Sequence, residues 1–245
     1  MIEAGSLIRS LSGRPAARNF HTFVINEIGL GIVTGKFPVG SILASDAAMM
    51  DTYGVSRTVL REALKTLEAK GMIEARPKVG TRVSPASRWS FFDPQVLSWH
   101  FYARPDRRFF ESVFDTRQAL ETRAVKQASE RRSAEHVRLM KYWLHQMDMS
   151  EGNLESHGLA CLEIHKAIAE SSGNSLLRSV TGLVELTLAL ALKSLPADQP
   201  GAYLATSVVA HTSLIAAIEA ADGDAAATAL DAIIAADAAQ AMTLI

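Results

Sequence analysis

A single cysteine, Cys161, leaves the chain without any intramolecular disulfide and predicts a fold held by its core, in keeping with a reducing, cytoplasmic setting. No apolar run of signal-peptide type lies in the first twenty residues, where Gly, Ser, Arg and Pro are interspersed. The most apolar later stretch, Leu183 to Leu195, is broken by Glu185 and Lys193 and is too short to span a bilayer. It predicts a buried helix and no membrane partner. Net charge is lacking as well: 25 Lys+Arg face 26 Asp+Glu, so the whole-chain balance points to no partner. With 48% hydrophobic and 21% charged residues among 245, the chain is neither disordered nor fibrous, and it is long enough for two ordinary domains.

The near-zero total conceals an asymmetry. Residues 1–86 contain 11 Lys+Arg against 7 Asp+Glu, whereas residues 87–245 contain 14 against 19. Phosphate contacts need local positive charge, so the basic front suits a small nucleic-acid-binding unit joined to a domain with another task. Residues 1–18, with Gly5, Gly13 and Pro15, show no sustained apolar period and read as a flexible tail. In residues 19–86 a first helix carries Phe23, Val24, Ile28 and Ile32 on one stripe. Ser45 caps a short second helix, and a third begins at Ser56 and stops at Gly71. The runs Met72–Arg76 and Thr81–Val83 around Pro77-Lys78-Val79-Gly80 read as a hairpin with a basic tip. Residues 87–106 form a linker and a short helix opened by Asp93-Pro94. Residues 107–245 are helical pattern throughout, without a competing strand signal, and the Ala-rich end from Ala220 to Ala241 is still helix-forming. The expected fold is mostly α: a winged helix-turn-helix of three helices plus a β-hairpin wing, joined to an all-α bundle.

At about 100° per residue, the third helix places Val59, Leu60, Ala63, Leu64 and Leu67 on one arc, and Arg57, Thr58, Arg61 and Lys65 on the other. A helix that projects arginines from its first turns can enter a major groove, where Arg forks onto guanine or grips phosphate. Lys78 and Arg82 on the hairpin are candidates for backbone contacts. On the wheel alone, an ordinary amphipathic helix with a solvated face fits equally well.

The residues Gly54-Val55-Ser56-Arg57-Thr58-Val59-Leu60-Arg61-Glu62-Ala63-Leu64-Lys65, followed by Lys70-Gly71-Met72-Ile73 and Val79-Gly80-Thr81-Arg82-Val83, closely resemble the DNA-binding signature of the GntR family of bacterial regulators. The long helical remainder is similar to the ligand-sensing FCD domain of the FadR subfamily. The resemblance implies a homodimer on double-stranded operator DNA, with Ser56, Arg57, Thr58 and Arg61 as operator contacts, Lys65 beside them, and Lys78 with Gly80 at the wing tip. The family often carries an arginine at the start of the second helix, where this chain has Ala47; that phosphate contact is absent.

Arg88-Trp89-Ser90-Phe91-Phe92-Asp93-Pro94 resembles the junction of the galactonate-operon repressor group, which implies a sugar acid or other small carboxylate as effector. Arg117 and Glu121 match the Arg-x-x-x-Glu of the first sensing helix. An arginine facing a cavity would fork onto a carboxylate; the alternative is an internal salt bridge. His157, Cys161 and His165 recur at i, i+4 and i+8 along one side of a helix, so neighbouring pairs can meet one ion whereas the outer two lie about 12 Å apart. The family's divalent-metal set joins an Asp, here Cys161, to His165 and to two later histidines. His211 resembles the second of these, and Ile233 to Ala236 offer no third. Cys161, His165 and His211 would form a softer site that favours zinc, or would hydrogen-bond the effector without metal, or are packed core residues.

The leading expectation is therefore a repressor of a sugar-acid operon, released from a palindromic operator when its effector binds, and not an enzyme. A metal-responsive regulator is the alternative. A metalloenzyme with Glu163 as base fits poorly, because Glu163 lies two residues from both Cys161 and His165 and points to the opposite side of the helix.

Overall fold

A computed structural model describes residues 4–12, 20–103, 106–196 and 200–245. The chain divides into two compact units, Pro15–Arg104 and Met1–Arg14 with Pro105–Ile245.

The first unit holds α2 (Phe20–Val33), α3 (Asp46–Tyr53), α4 (Arg57–Ala69), a β1 (Ile73–Arg76) and β2 (Gly80–Val83) hairpin, and α5 (Pro94–Tyr102). Each short helix begins where a hydroxyl replaces a missing intrahelical partner: Ala48 N–H donates to Ser45 Oγ and Val59 N–H to Ser56 Oγ. Gly54 (φ 65°) ends α3 in the left-handed conformation. The hairpin pairs antiparallel from Ile73↔Val83 to Arg76↔Gly80. Residues 40–43 lie along the outer edge of β2, with Leu43 N–H donating to Thr81 O and Val83 N–H to Ser41 O. Val24, Ile28, Met49, Leu60, Leu67 and Val83 form the core under α4.

The expected boundary at residue 87 does not hold. Val96 and Trp99 of α5 lie in the core of this unit rather than in a linker. Gly29 makes this possible, because a Cβ there would stand 2.4 Å from the Trp99 ring. The indole N–H donates to Asn26 Oδ1 at 3.0 Å.

The second unit is a bundle of α6 (Arg107–Arg131), α7 (Ala134–Asp148), α8 (Leu154–Ser171), the short α9 (Ser175–Arg178), α10 (Thr181–Lys193), α11 (Gly201–Glu219) and α12 (Gly223–Ala241). The helical pattern is interrupted between α9 and α10, with a break at residues 179–180. Every residue from Leu183 to Leu192 is buried, as its apolar run predicts. A second correction concerns the tail: Ser6–Ser10 form a helix, α1, whose Leu7 and Ile8 are buried in this unit. Leu7 N–H donates to Glu185 Oε1 on α10 at 2.7 Å. Gly158 on α8 has no side chain to hold Ile8 and Leu192 away. A five-residue helix is unstable alone; burial of two apolar side chains and this charged acceptor hold it, and no sequence period that short reveals it.

Candidate nucleic-acid interface and sensing core

On α4 the inward arc Leu60, Ala63 and Leu67 is fully buried, so the opposite arc with Arg57, Thr58, Arg61 and Lys65 faces out. Ser56 spends its hydroxyl on the cap. Lys65 pairs with Glu62 at 2.9 Å, both exposed. Among the described residues Arg57 and Arg61 form no ion pair, which leaves two guanidinium groups on the first two turns available to an external anion. At the hairpin tip Lys78 takes φ 65° and Gly80 φ 108°. The turn thus holds an exposed lysine in a backbone conformation that L residues rarely adopt. Arg82 is committed elsewhere: its Nε–H donates to Gly40 O at 2.7 Å, so it fastens the segment at residues 40–43 to the wing. Arg76 and Arg88 both pair with Glu74.

The second cluster is buried. Arg117, on α6, is wholly inaccessible, and its contacts are made within the protein. Nε–H donates to Glu121 Oε2 at 2.7 Å, and Nη1 to Asp237 Oδ2 at 2.6 Å and Thr187 Oγ1 at 3.1 Å. Nη2 stands 3.5 Å from His165 Nε2. Tyr203, at the start of α11, donates its hydroxyl to the other oxygen of Asp237. Asp237 thus ties α6, α11 and α12 together. It directly follows the apolar stretch Ile233 to Ala236 where the family pattern expects a third histidine, and sequence reasoning did not find it. The legible signal is that Leu230, Ile233, Ile234, Asp237 and Ala241 make one buried stripe in which a lone acid stands. Tyr203 and Thr187 carried no such signal.

His165 and His211 are both inaccessible, and their partners fix their tautomers. His165 Nδ1 meets Glu121 Oε1 at 2.6 Å and His211 Nδ1 meets Ser207 O at 2.7 Å. Both partners only accept, so each Nδ1 carries the proton and donates. The two Nε2 atoms then face each other at 3.3 Å, and Cys161 Sγ lies 3.3 Å from His211 Nε2. Two imidazole nitrogens and one sulfur converge within 4.8 Å of one another. The outer nitrogens are held by a carboxylate and a carbonyl, as in metal-binding histidines. The donor set fits a soft divalent ion. Without an ion, the Cys161 thiol donates to His211 Nε2. Burial, with Asp237 nearby, raises the thiol's pKa, and burial beside His165 pushes His211 down to about 3. Burial works to raise Glu121, but His165 and Arg117 override it and hold its carboxyl at about 2. His157, one turn before Cys161, is buried with no hydrogen-bond partner at Nε2, and burial lowers its pKa to about 4. Glu163 pairs with Lys166 at 2.6 Å and takes no part in the cluster.

Comparison with known proteins matches residues 22–83 to the gntR family of bacterial regulatory proteins and residues 112–236, half of the chain, to the FCD domain. The HTH-type transcriptional regulator YieP of Escherichia coli K12 is 29% identical over 89% of this chain and 94% of its own length. The galactonate operon transcriptional repressor of the same strain is 27% identical over 83% and 88%. Among solved structures, that of Lar, which controls expression of the Listeria monocytogenes agr system, has a TM-score of 0.67 at 13% identity, covering 93% of this chain and 99% of that one. It supports the fold alone.

Proposed function

The chain belongs to the FCD-domain transcription regulators of the gntR family, and from that premise we propose that it is a homodimeric repressor of a sugar-acid catabolic operon. The observation that carries the reading is the exposed arc of α4, where Arg57, Thr58 and Arg61 project beside a lysine-tipped wing while the opposite arc is the core of the unit. Arg57 and Arg61 read or grip the major groove, Ser56 presents the helix N-terminus to a phosphate, and Lys78 with Gly80 follows the adjoining backbone. Two copies match half-sites about one helical turn, or a multiple, apart. The effector, a sugar acid or similar small carboxylate, enters the cluster around Arg117, Cys161, His165 and His211 and favours a dimer that no longer fits the operator. The coupling is reciprocal. The galactonate repressor's likeness along most of both chains supports this effector class.

Cys161, His165 and His211 would also hold a divalent ion, with zinc the best match to one sulfur and two nitrogens. A bound ion supplies an electrophilic point for an effector oxygen. Cobalt substitution tests the site directly. A thiolate-to-cobalt charge-transfer band is expected in the wild type and lost in Cys161→Ser, and a wild-type spectrum without that band rejects the metal assignment.

The functional reading is tested by selecting binding sites for the full chain from random duplex DNA, then adding D-galactonate, other sugar acids or zinc alone. Enrichment of a palindrome and its release by a sugar acid are expected. Release by zinc alone would make the ion the signal, and no enrichment would reject the regulator's proposed mode of binding.

A further inference from the structure

The notable feature of the buried cluster is that its carboxylate-binding equipment is already in use. Arg117 Nη1 and the Tyr203 hydroxyl converge on opposite oxygens of one carboxylate, that of Asp237, and Thr187 steadies the guanidinium from behind. An arginine and a tyrosine aimed at the two oxygens of a single carboxylate are what a carboxylate-recognition site needs. Arg117 is wholly inaccessible with Nε and Nη1 already engaged, and the void that touches its neighbours Glu121 and His165 measures only about 10 Å³, barely room for one water. A second carboxylate therefore cannot be added beside Asp237 on Arg117. It can only replace it.

We propose that Arg117 and Tyr203 form a carboxylate subsite whose resident occupant is the chain's own Asp237, and that an anionic effector binds by exchanging its carboxylate for this one. The inference rests on the reading that the effector enters this core. The exchange keeps one carboxylate on Arg117, so the incoming group is paired, and the displaced Asp237, buried in the resting state, has to swing out to solvent because it loses both of its partners. Asp237 lies on α12 and Tyr203 on the first turn of α11. Exchange therefore frees the tie between α12 and the other two helices, and it sets the ligand class: a group that cannot present a carboxylate to both donors leaves Asp237 in place. Held in the same molecule, Asp237 competes at a high effective concentration. A simple monocarboxylate therefore fails against the wild type, whereas an effector with further contacts succeeds.

Removing the occupant exposes the subsite. Asp237→Ala should lower Tm, and 100 mM acetate, if tenfold above its Kd, should restore about 3–6 °C. Acetamide and sodium chloride at the same concentration should not, and acetate should leave the wild type unmoved. The double variant Arg117→Met/Asp237→Ala should lose the acetate response. Should Asp237→Ala fold poorly in plain buffer, its refolding yield in acetate against acetamide reads the same preference. Equal responses to acetate and acetamide, or an acetate response that survives in the double variant, would overturn the proposal. Operator release is scored separately: acetate stabilisation of Asp237→Ala without any change in DNA affinity keeps the subsite and rejects the effector reading.

Discussion

Replacing Arg57 by glutamine separates a DNA-reading role from a structural one, because the two roles predict opposite changes in different assays. Arg57 occupies the first position of α4, directly after the Ser56 cap, and is exposed. A cation at a helix N-terminus sits against the positive end of the macrodipole, an unfavourable placement of about 0.3–1 kcal/mol at low salt. No ion pair offsets it among the described residues. Removing the charge should therefore leave the fold unchanged or slightly more stable, a Tm shift between zero and roughly +3 °C. Operator binding should move the other way. One arginine contact is worth about 1–3 kcal/mol, and a symmetric dimer loses two, so affinity falls by about 2 kcal/mol at least, or roughly 30-fold. If Arg57 grips phosphates, the slope of log K against log salt also drops by about 2 per dimer; a base contact to guanine leaves the slope nearly unchanged and relaxes specificity instead. Arg82→Gln is the control, since Arg82 Nε–H donates to Gly40 O and its loss should lower Tm together with affinity. Fluorescence anisotropy over a salt series, beside thermal melts, gives both readouts. Wild-type affinity with an unaltered salt slope in Arg57→Gln would refute the assignment of α4 as the recognition helix.

The buried histidines predict an acid-labile core. His157 at about 4 and His211 at about 3 stay neutral where the unfolded chain takes up two protons. Stability is thus full above about pH 6.5 and falls by up to about 2.7 kcal/mol per pH unit towards pH 4.5. Glu121, held at about 2, extends the loss below pH 4.5. Urea unfolding with chelator present reads the slope, and His157→Gln should halve it; a flat profile from pH 7 to 5 contradicts the neutral assignment. Gly71→Ala should cost the N-terminal unit about 2–3 kcal/mol, since φ is 72° and the new Cβ would stand 2.0 Å from Arg88 O; a melt unchanged within 1–2 °C would show that Arg88 can move away. Glu185→Ala should leave Leu7 N–H without its acceptor and release α1, seen as fast hydrogen exchange over residues 6–10; unaltered protection there would mean that Leu7 and Ile8 suffice.

The DNA-reading element was legible because its signals are local. Caps at Ser45 and Ser56, the period of α4 and the glycines at 54, 71 and 80 all act within a few residues, and each stands where expected. The helices of the second unit were legible from period and propensity, although the break at residues 179–180 was not. What sequence could not supply was long-range partnership. Trp99 reads as linker until Gly29, 70 positions earlier, is seen to receive it, and Ser6–Ser10 reads as tail until Glu185 is found above Leu7. The cluster shows the same divide. Cys161 and His165 announce themselves by spacing and His211 by resemblance, whereas Asp237 and Tyr203 gain meaning only through Arg117, 120 and 86 positions away.

The tie to α1 and the Arg117 cluster meet on α10. Thr187 accepts from Arg117 on one side of this helix, and Glu185, two residues earlier and so on the opposite side, accepts from Leu7 of α1. A displacement of α10 large enough to reset Arg117 must either carry α1 with it or break the Leu7 bond, which removes one of the two amides, Gly5 and Leu7, that the buried Glu185 accepts from. Burial already raises the Glu185 pKa against the pull of the Gly5 and Leu7 amides, so breaking that bond costs more than an ordinary surface contact. The first described residue of α2 follows α1 by only ten positions. The first unit is therefore bracketed in sequence by two stretches of the helical unit, α1 before it and α6 after it. Arg117 and its partners touch the first through α10 and belong to the second directly.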